Sequence, residues 1–259
     1  MIWEALDLEV AEGLEAWLDA RSPGLVIGCA ALSSVGDCER DPQRAELLNA
    51  RLPGRIGAWC AGSGARYVHV STDLVFGSTA PPGGFTEDAE PDPVSVYGRT
   101  KREGEIEVLD ACPGALVVRL PLLYGNSGGR GAGASDSLLA AVDGGERPGL
   151  FVDEWRTPLE VSNAADALLE LGSGDAHGIL HVAGPDRVSR YQLGTAVLEA
   201  MGLAAEEAAG CVQPMPRGDA PEDVWRLRSA DAALAATAAR SLLDTELLGL
   251  RAGLRRAIG

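Results

Sequence analysis

The run Val70-Ser71-Thr72-Asp73-Leu74-Val75-Phe76, followed after a loop by Val96-Tyr97-Gly98-Arg99-Thr100-Lys101, decides how this chain reads. A hydroxyl-rich triplet closes an apolar run, and a Tyr and a Lys stand four apart in an amphipathic segment. Residues at i and i+4 share a helix face, so an ammonium at 101 can lie beside a phenol at 97 and favour its ionised form. An ordinary tyrosine, with a pKa of about 10, is a poor proton shuttle near neutrality, and a neighbouring cation lowers that value. Alone, the Tyr-x-x-x-Lys spacing is more often a plain helix surface. Preceded by a strand-end Ser-Thr-Asp, it marks a site.

Working outward, continuous β-branched runs at residues 24–27, 66–70 and 115–118 read as buried parallel strands. Helical patterns lie between them, over residues 10–20, 45–63 and 95–109. This alternation predicts an α/β fold: a Rossmann-like, mostly parallel sheet flanked by helices, with right-handed crossovers. Ligands bind such sheets at the C-terminal ends of the strands, where Ser71, Thr72 and Asp73 fall. Past Tyr124 the character shifts to a glycine-rich loop at 125–133 and a helix at 135–142. A strand follows at 178–182, then a helix at 191–201 capped by Ser189. The Ala/Leu-rich tail from Ser229 ends with Arg251, Arg255 and Arg256, which suit a helix C-terminus. Residues 1–125 are expected to form an incomplete Rossmann-like nucleotide-binding core. Residues 126–259 would be mainly a small substrate-binding lobe with interleaved core elements.

The 259 residues, 46% hydrophobic and 23% charged, suffice for a sizeable core without disulfides or metals. Every apolar stretch is cut by a charge, Gly or Pro before membrane-spanning length, so no membrane association is expected. The net charge of −16 repels nucleic acid and anionic lipid. Cys29, Cys38, Cys60, Cys112 and Cys211 form no Cys-x-x-Cys pair and read as small hydrophobes in a reducing compartment. Met1-Ile2-Trp3-Glu4 offers no secretory signal, which makes the cytoplasm the expected location.

Two other motifs compete. Gly129-Arg130-Gly131-Ala132-Gly133-Ala134, with Asp153 downstream, fits a dinucleotide fingerprint, but the loop is long for a tight first turn and reads as a surface loop. Gly125-Asn126-Ser127-Gly128-Gly129 fits a nucleophile elbow, with Asp153 or Asp166 and then His177 or His181 as partners; residues 128–133 are a poor helix start, which counts against it. His69 and His181 read as hydrogen-bonded core residues. The spacing of His177 and His181 would suit a metal only on a helix, whereas residues 178–180 read as strand.

The stretches at residues 25–42 (LVIGCAALSSVGDCERDP), 69–76 (HVSTDLVF), 85–105 (FTEDAEPDPVSVYGRTKREGE), 119–125 (RLPLLYG) and 178–201 resemble the extended short-chain dehydrogenase/reductases, and within them the dTDP-4-dehydrorhamnose reductases of dTDP-rhamnose biosynthesis. The resemblance implies an oxidoreductase that moves a hydride from NADP or NAD in its reduced form to C4 of a nucleotide-linked 4-keto sugar. Tyr97 would protonate the developing alkoxide, Thr72 would hydrogen-bond the same oxygen, and Lys101 would hold the nicotinamide ribose and tune Tyr97. Asp73 would accept a sugar hydroxyl, or else cap the following loop. Leu122 would face the substrate, and Pro121 the nicotinamide. Cys29, Ala30 and Ala31 would line the cofactor, with Asp7 and Leu8 at the adenine; Asp7 reads equally well as an N-cap.

The sequence also departs from this family. The opening strand, glycine turn and helix that cradle the cofactor pyrophosphate are not in it, so weak or no NADPH binding is expected. The Leu25-Val26-Ile27 strand would then be an unpaired edge. Either the chain starts late or it has lost cofactor binding; the intact Thr72, Tyr97 and Lys101 favour the first. The alternative function is a catalytically silent sugar-nucleotide-binding or regulatory subunit, resembling the regulatory β subunit of methionine adenosyltransferase, with a homodimer or protein partner. Leu74 stands for the usual Tyr, Leu122 for a common Trp, and Gly28 for an Asn, which leaves the sugar undefined.

Overall fold

Strands without polar alternation need cover on both faces, and the chain provides it. The computed structural model describes residues 4, 6–10, 13–126 and 133–258. Its first strands are β1 (Leu25–Gly28), β2 (Arg66–Thr72) and β3 (Leu116–Leu120). Short strands follow: β4 (Leu123–Tyr124), β5 (Gly149–Phe151), β6 (Trp155–Arg156), β7 (Leu159–Glu160), β8 (Gly178–His181), β9 (Val188–Ser189) and β10 (Gln213–Met215). The main sheet runs β1-β2-β3-β8, parallel throughout. Among the described residues β1 pairs only with β2, so it forms one edge.

Helices α1 (Leu14–Arg21), α2 (Val35–Arg40), α3 (Pro42–Glu46), α4 (Leu52–Ser63) and α5 (Val96–Ala111) belong to the first half. The second half adds α6 (Ala134–Asp143), α7 (Val161–Ser173), α8 (Arg190–Ala200), α9 (Ala205–Gly210), α10 (Glu222–Trp225), α11 (Thr237–Leu242) and α12 (Leu250–Ile258). Side chains alternate across the strands. Val68, Leu116, Val118 and Leu180 pack with Leu168 and Leu171 of α7 on one face. Tyr67 and Val117 pack with Cys60 of α4 and Val108 of α5 on the other. Cys38, Cys60 and Cys112 are buried as the sequence suggests, whereas Cys29 is exposed and Cys211 half-buried. No described helix is long and apolar enough to cross a membrane.

Two boundaries differ from the sequence expectation. The first helix begins at Leu14 because Gly13, at φ 96°, breaks the helical path before it. Asp7 does not cap it; its Oδ1 accepts from the backbone N–H of Glu9 at 2.9 Å. The long helix at 45–63 starts earlier, at Pro42, and passes through a π-turn at Leu47–Arg51. There Asn49, wholly buried, turns inward and binds both backbone groups of Leu32 and the hydroxyl of Thr100.

The glycine of the Val-Tyr-Gly motif has a packing cause. A Cβ on Gly98 would lie 2.2 Å from the Leu74 carbonyl oxygen, so only glycine lets α5 close onto the turn after Thr72. Gly98→Ala is expected to cost about 1–3 kcal/mol of stability, read as a lower urea midpoint; an unchanged midpoint would show that the contact relaxes freely.

Candidate functional site

Several segments converge on a cleft of about 600 Å³ at the C-terminal ends of β2 and β3, three of them carrying residues expected at the site. The end of β2 supplies Val70 to Leu74, α5 supplies Tyr97, and the chain after β3 supplies Pro121, Leu122 and Leu123. Ser95 caps α5 by accepting from the Gly98 N–H at 3.1 Å, which sets Tyr97 in the first turn facing the cleft. Thr72 ends its strand and caps the following 3₁₀ turn (Asp73–Val75), accepting from the Leu74 N–H at 3.2 Å. Capping of this loop therefore falls to Thr72 rather than Asp73.

The structure thus brings Thr72, Asp73, Tyr97, Pro121 and Leu122 to one cleft. Lys101 lies behind it, buried. Cys29 and Ala30 are exposed and Ala31 half-buried just past β1; they do not line this cleft, and neither do Asp7 and Leu8. Gly28 leaves room that the Tyr67 hydroxyl takes up, 2.8 Å from where a Cβ would stand. The glycine-rich motif at 129–134 and the elbow at 125–129 fall largely on residues 127–132, outside the described residues. His181 is buried against Arg119 and the Phe85 carbonyl, and His177 is exposed. No group of three or more His, Cys, Asp or Glu suited to a metal occurs among the described residues.

The electrostatics correct one expectation. Burial pushes the Tyr97 phenol up to about 12; a hydrogen bond with Thr72 opposes this, and the charges of Asp73 and Cys38 add to it. The shared helix face does not bring the Lys101 charge to bear on the phenol. The Lys101 amine donates to the Val70 carbonyl at 2.6 Å and lies 3.4 Å from His69 Nε2. Burial lowers Lys101 to about 8, partly offset by the charges of Glu105 and Cys29. Burial likewise keeps His69 neutral, aided by Lys101. One sequence signal stands out in retrospect: Lys101 is the sole lysine, against 21 arginines. An arginine cannot give up its proton in a protein, whereas a buried lysine can, so the residue type matters here.

Asp73 is buried and its Oδ1 accepts from Thr72 Oγ1 at 3.1 Å. Its Oδ2 makes no hydrogen bond and lies 3.4 Å from Arg156 Nε. Burial raises this carboxyl from 3.8 to about 6, against the pull of Arg156. A folded-state pKa above the unfolded one means the native state binds the extra proton, so stability falls as pH rises from about 4 through 6. Asp73→Asn is therefore expected to stabilise the protein at pH 7.5 by on the order of 2 kcal/mol and to flatten that pH dependence in urea titrations. A less stable Asn variant at pH 7.5 would contradict this.

Arg156, Arg190 and Arg228 also line the cleft, together with the buried Glu154, and none was visible as a site in the sequence. Arg228 donates to both Glu154 oxygens at 3.1 Å. Burial lowers Arg190, and its neighbours Arg228 and Arg156 add to this by repulsion, so the cations crowd one wall. Arg156 lies against Asp73 and Glu154, and Arg228 against Glu154, so the three guanidinium groups share the cleft wall with two buried carboxylates.

An open parallel sheet with Thr72 and Tyr97 at its strand ends, and Lys101 behind them, is a Rossmann-like α/β fold with its cleft where such sheets bind ligands. The chain belongs to the RmlD substrate binding domain family, which it matches over residues 2–259. It is 37% identical over 199 residues to a dTDP-4-dehydrorhamnose reductase of Mycolicibacterium smegmatis, covering 74% of this chain and 60% of that one. A probable low-salt glycan biosynthesis reductase of Haloferax volcanii is 34% identical over 199 residues, 76% of this chain and 66% of that protein. Methionine adenosyltransferase 2 subunit beta of Xenopus tropicalis is 33% identical over 208 residues, 78% of this chain and 61% of that one. The chain thus spans 60% to 66% of the length of these curated relatives.

Among solved structures, a hypothetical dTDP-4-dehydrorhamnose reductase from Sulfolobus tokodaii superposes with a TM-score of 0.77 at 27% identity, over 96% of this chain and 85% of that one. The Bacillus anthracis dTDP-4-dehydrorhamnose reductase in complex with NADP gives 0.83 at 20% identity, over 97% and 86%, a likeness of fold.

Proposed function

We propose that this chain carries the proton-donating and substrate-binding parts of an NAD(P)H-dependent reductase acting on a nucleotide-linked 4-keto sugar, as in dTDP-4-dehydrorhamnose reductases. The observation that carries the reading is the cleft itself: Thr72 and Tyr97 hydrogen-bonded at its floor, the sole lysine behind them, and Arg156, Arg190 and Arg228 on its wall. In this reading residues 1–125 bear the cofactor side and residues 126–259 mainly the sugar side.

When bound, NAD(P)H supplies the hydride that adds to the carbonyl carbon. Toward the nicotinamide-ribose half the chain offers Pro121 beside the cleft and the buried Lys101 amine behind its floor, while Cys29, Ala30 and Ala31 stand just past β1, outside the cleft. The described residues contain no strand–glycine turn–helix unit beside β1 for the pyrophosphate.

Tyr97 gives its proton to the oxygen that gains negative charge. A phenol at about 12 is a weak acid toward water but matches a developing alkoxide, which is more basic still. Thr72 holds the same oxygen, and Asp73 would accept from an adjacent sugar hydroxyl through Oδ2, which is buried 3.4 Å from Arg156 Nε. Arg156, Arg190 and Arg228 hold the diphosphate of the nucleotide, and Leu74 and Leu122 give the sugar an apolar face.

Titration with dTDP-rhamnose tests the substrate side without any cofactor. Arg190→Gln should weaken binding about 10- to 100-fold, the worth of one charge-assisted contact. Equal affinity in wild type and variant would remove the diphosphate assignment.

A second reading has its own support in the similarity to methionine adenosyltransferase 2 subunit beta: a sugar-nucleotide-binding or regulatory subunit that works through a protein partner. It requires ligand binding without turnover.

A further inference from the structure

Tyr97, Lys101 and Glu105 succeed one another at four-residue spacing along one face of α5. The reaction proposed above uses only the first two. Glu105 has no exposed surface. Its Oε1 accepts from Ser71 Oγ at 2.6 Å and from Arg119 Nε at 2.8 Å. Its Oε2 accepts from Arg119 Nη2 at 2.8 Å and from Arg102 Nη1 at 2.9 Å.

The partners are placed to matter. Ser71 and Arg119 face each other in the parallel register of β2 and β3. Ser71 immediately precedes Thr72, and Arg119 immediately precedes Leu120 and Pro121 of the cleft wall. Arg119 also reaches His181 Nε2 of β8 at 3.3 Å, and its guanidinium lies 5.1 Å from the Phe76 ring centre. One carboxylate therefore fastens α5 to the ends of two strands and, through Arg119, to a third.

Apolar packing between a helix and a sheet is non-directional, whereas a bidentate Arg–carboxylate pair fixes both distance and angle. Burying such a pair seldom stabilises a protein more than apolar residues of the same size would, so stability alone does not account for it. We propose that Glu105 is a positioning residue of the reductase site, fixing α5 against the ends of β2 and β3 so that Tyr97 meets Thr72 across the cleft floor. This rests on the reductase reading above.

A second consequence concerns Lys101, which Glu105 faces from α5, His69 from β2, and Cys29 from the end of β1. The negative charge of Glu105 favours the ammonium form. Removing that charge moves the Lys101 titration to lower pH.

The test uses Glu105→Gln in the whole chain, grown with lysine carrying ¹³C at Cε. Because Lys101 is the sole lysine, one side-chain resonance reports its titration. The proposal expects kcat for 4-keto sugar reduction to fall about 10- to 100-fold with KM little changed, and the Lys101 resonance to titrate at lower pH than in wild type. Ser71→Ala, which removes one donor and no charge, should lower kcat severalfold while leaving the Lys101 titration in place. Unchanged kcat and an unchanged titration in Glu105→Gln would overturn the proposal. Should that variant not fold, unchanged kcat in Ser71→Ala would do so. A wild type that binds both ligands without turnover would instead overturn the reductase reading, and the shift of the Lys101 resonance would then decide whether Glu105 governs the lysine.

Discussion

Replacing Tyr97 with Phe, in protein shown by titration to bind NAD(P)H, is expected to lower kcat by about a hundredfold or more while KM for the keto sugar stays nearly constant. The ring is half-buried at the cleft, so Phe keeps its packing and removes only the hydroxyl. On the proposed mechanism the variant loses the proton delivered to the carbonyl oxygen, together with the hydrogen bond to Thr72. Both act on charge that appears only as the reaction proceeds, which places the loss in kcat rather than in binding. Turnover within about threefold of wild type would reject Tyr97 as the proton donor.

Replacing Arg119 with Leu is expected to cost about 3–5 kcal/mol of folding stability, a large share of the roughly 5–15 kcal/mol a domain possesses. The guanidinium is 1% exposed and supplies two of the four hydrogen bonds that Glu105 accepts. Burial pushes the Glu105 carboxyl up, and Arg119, with Ser71 and Arg102, more than offsets this, so it is held below its usual range. A depressed carboxylate contributes stability that is present above its unfolded pKa and is lost as pH falls through the folded one. Arg119→Leu should therefore also erase part of the acid limb of stability below about pH 4.5. Adding Glu105→Leu to the same chain should recover much of the loss, because no unpaired charge then remains buried. Urea titration measures both. A single-variant loss under about 1 kcal/mol would show that Glu105 finds other partners.

Much of this arrangement was legible in the residues. The continuous runs at 66–70 and 115–118 are largely buried between helices on both faces, which is why they carry no polar alternation, whereas the edge run at 25–27 is only half-buried. Ser189 caps the helix that follows it, a local signal of a hydroxyl in front of a helical pattern, whereas Ser95 proved to be a cap rather than the first residue of its helix. The arginine wall was not legible. Arg156, Arg190 and Arg228 come from separate segments and meet only through the chain's tertiary path. Nor was the direction of the Lys101 amine. A four-residue spacing fixes the shared face of a helix, but the Val70 carbonyl and His69, contributed by the neighbouring strand, decide where a four-carbon stem points. The π-turn at Leu47–Arg51 escaped for the same reason, since Asn49 finds its partners at Leu32 and Thr100.

On the proposed reading this cleft reduces a sugar ketone rather than merely holding a nucleotide sugar. Deuteride transfer tests it most directly. Protein, dTDP-4-dehydrorhamnose and NADPH deuterated at the transferable position are combined, and the sugar product is read by mass spectrometry and proton NMR. A single deuterium at C4 of the resulting dTDP-rhamnose, abolished by Tyr97→Phe, is the predicted result. Protein that binds both ligands and returns the keto sugar without deuterium would contradict it.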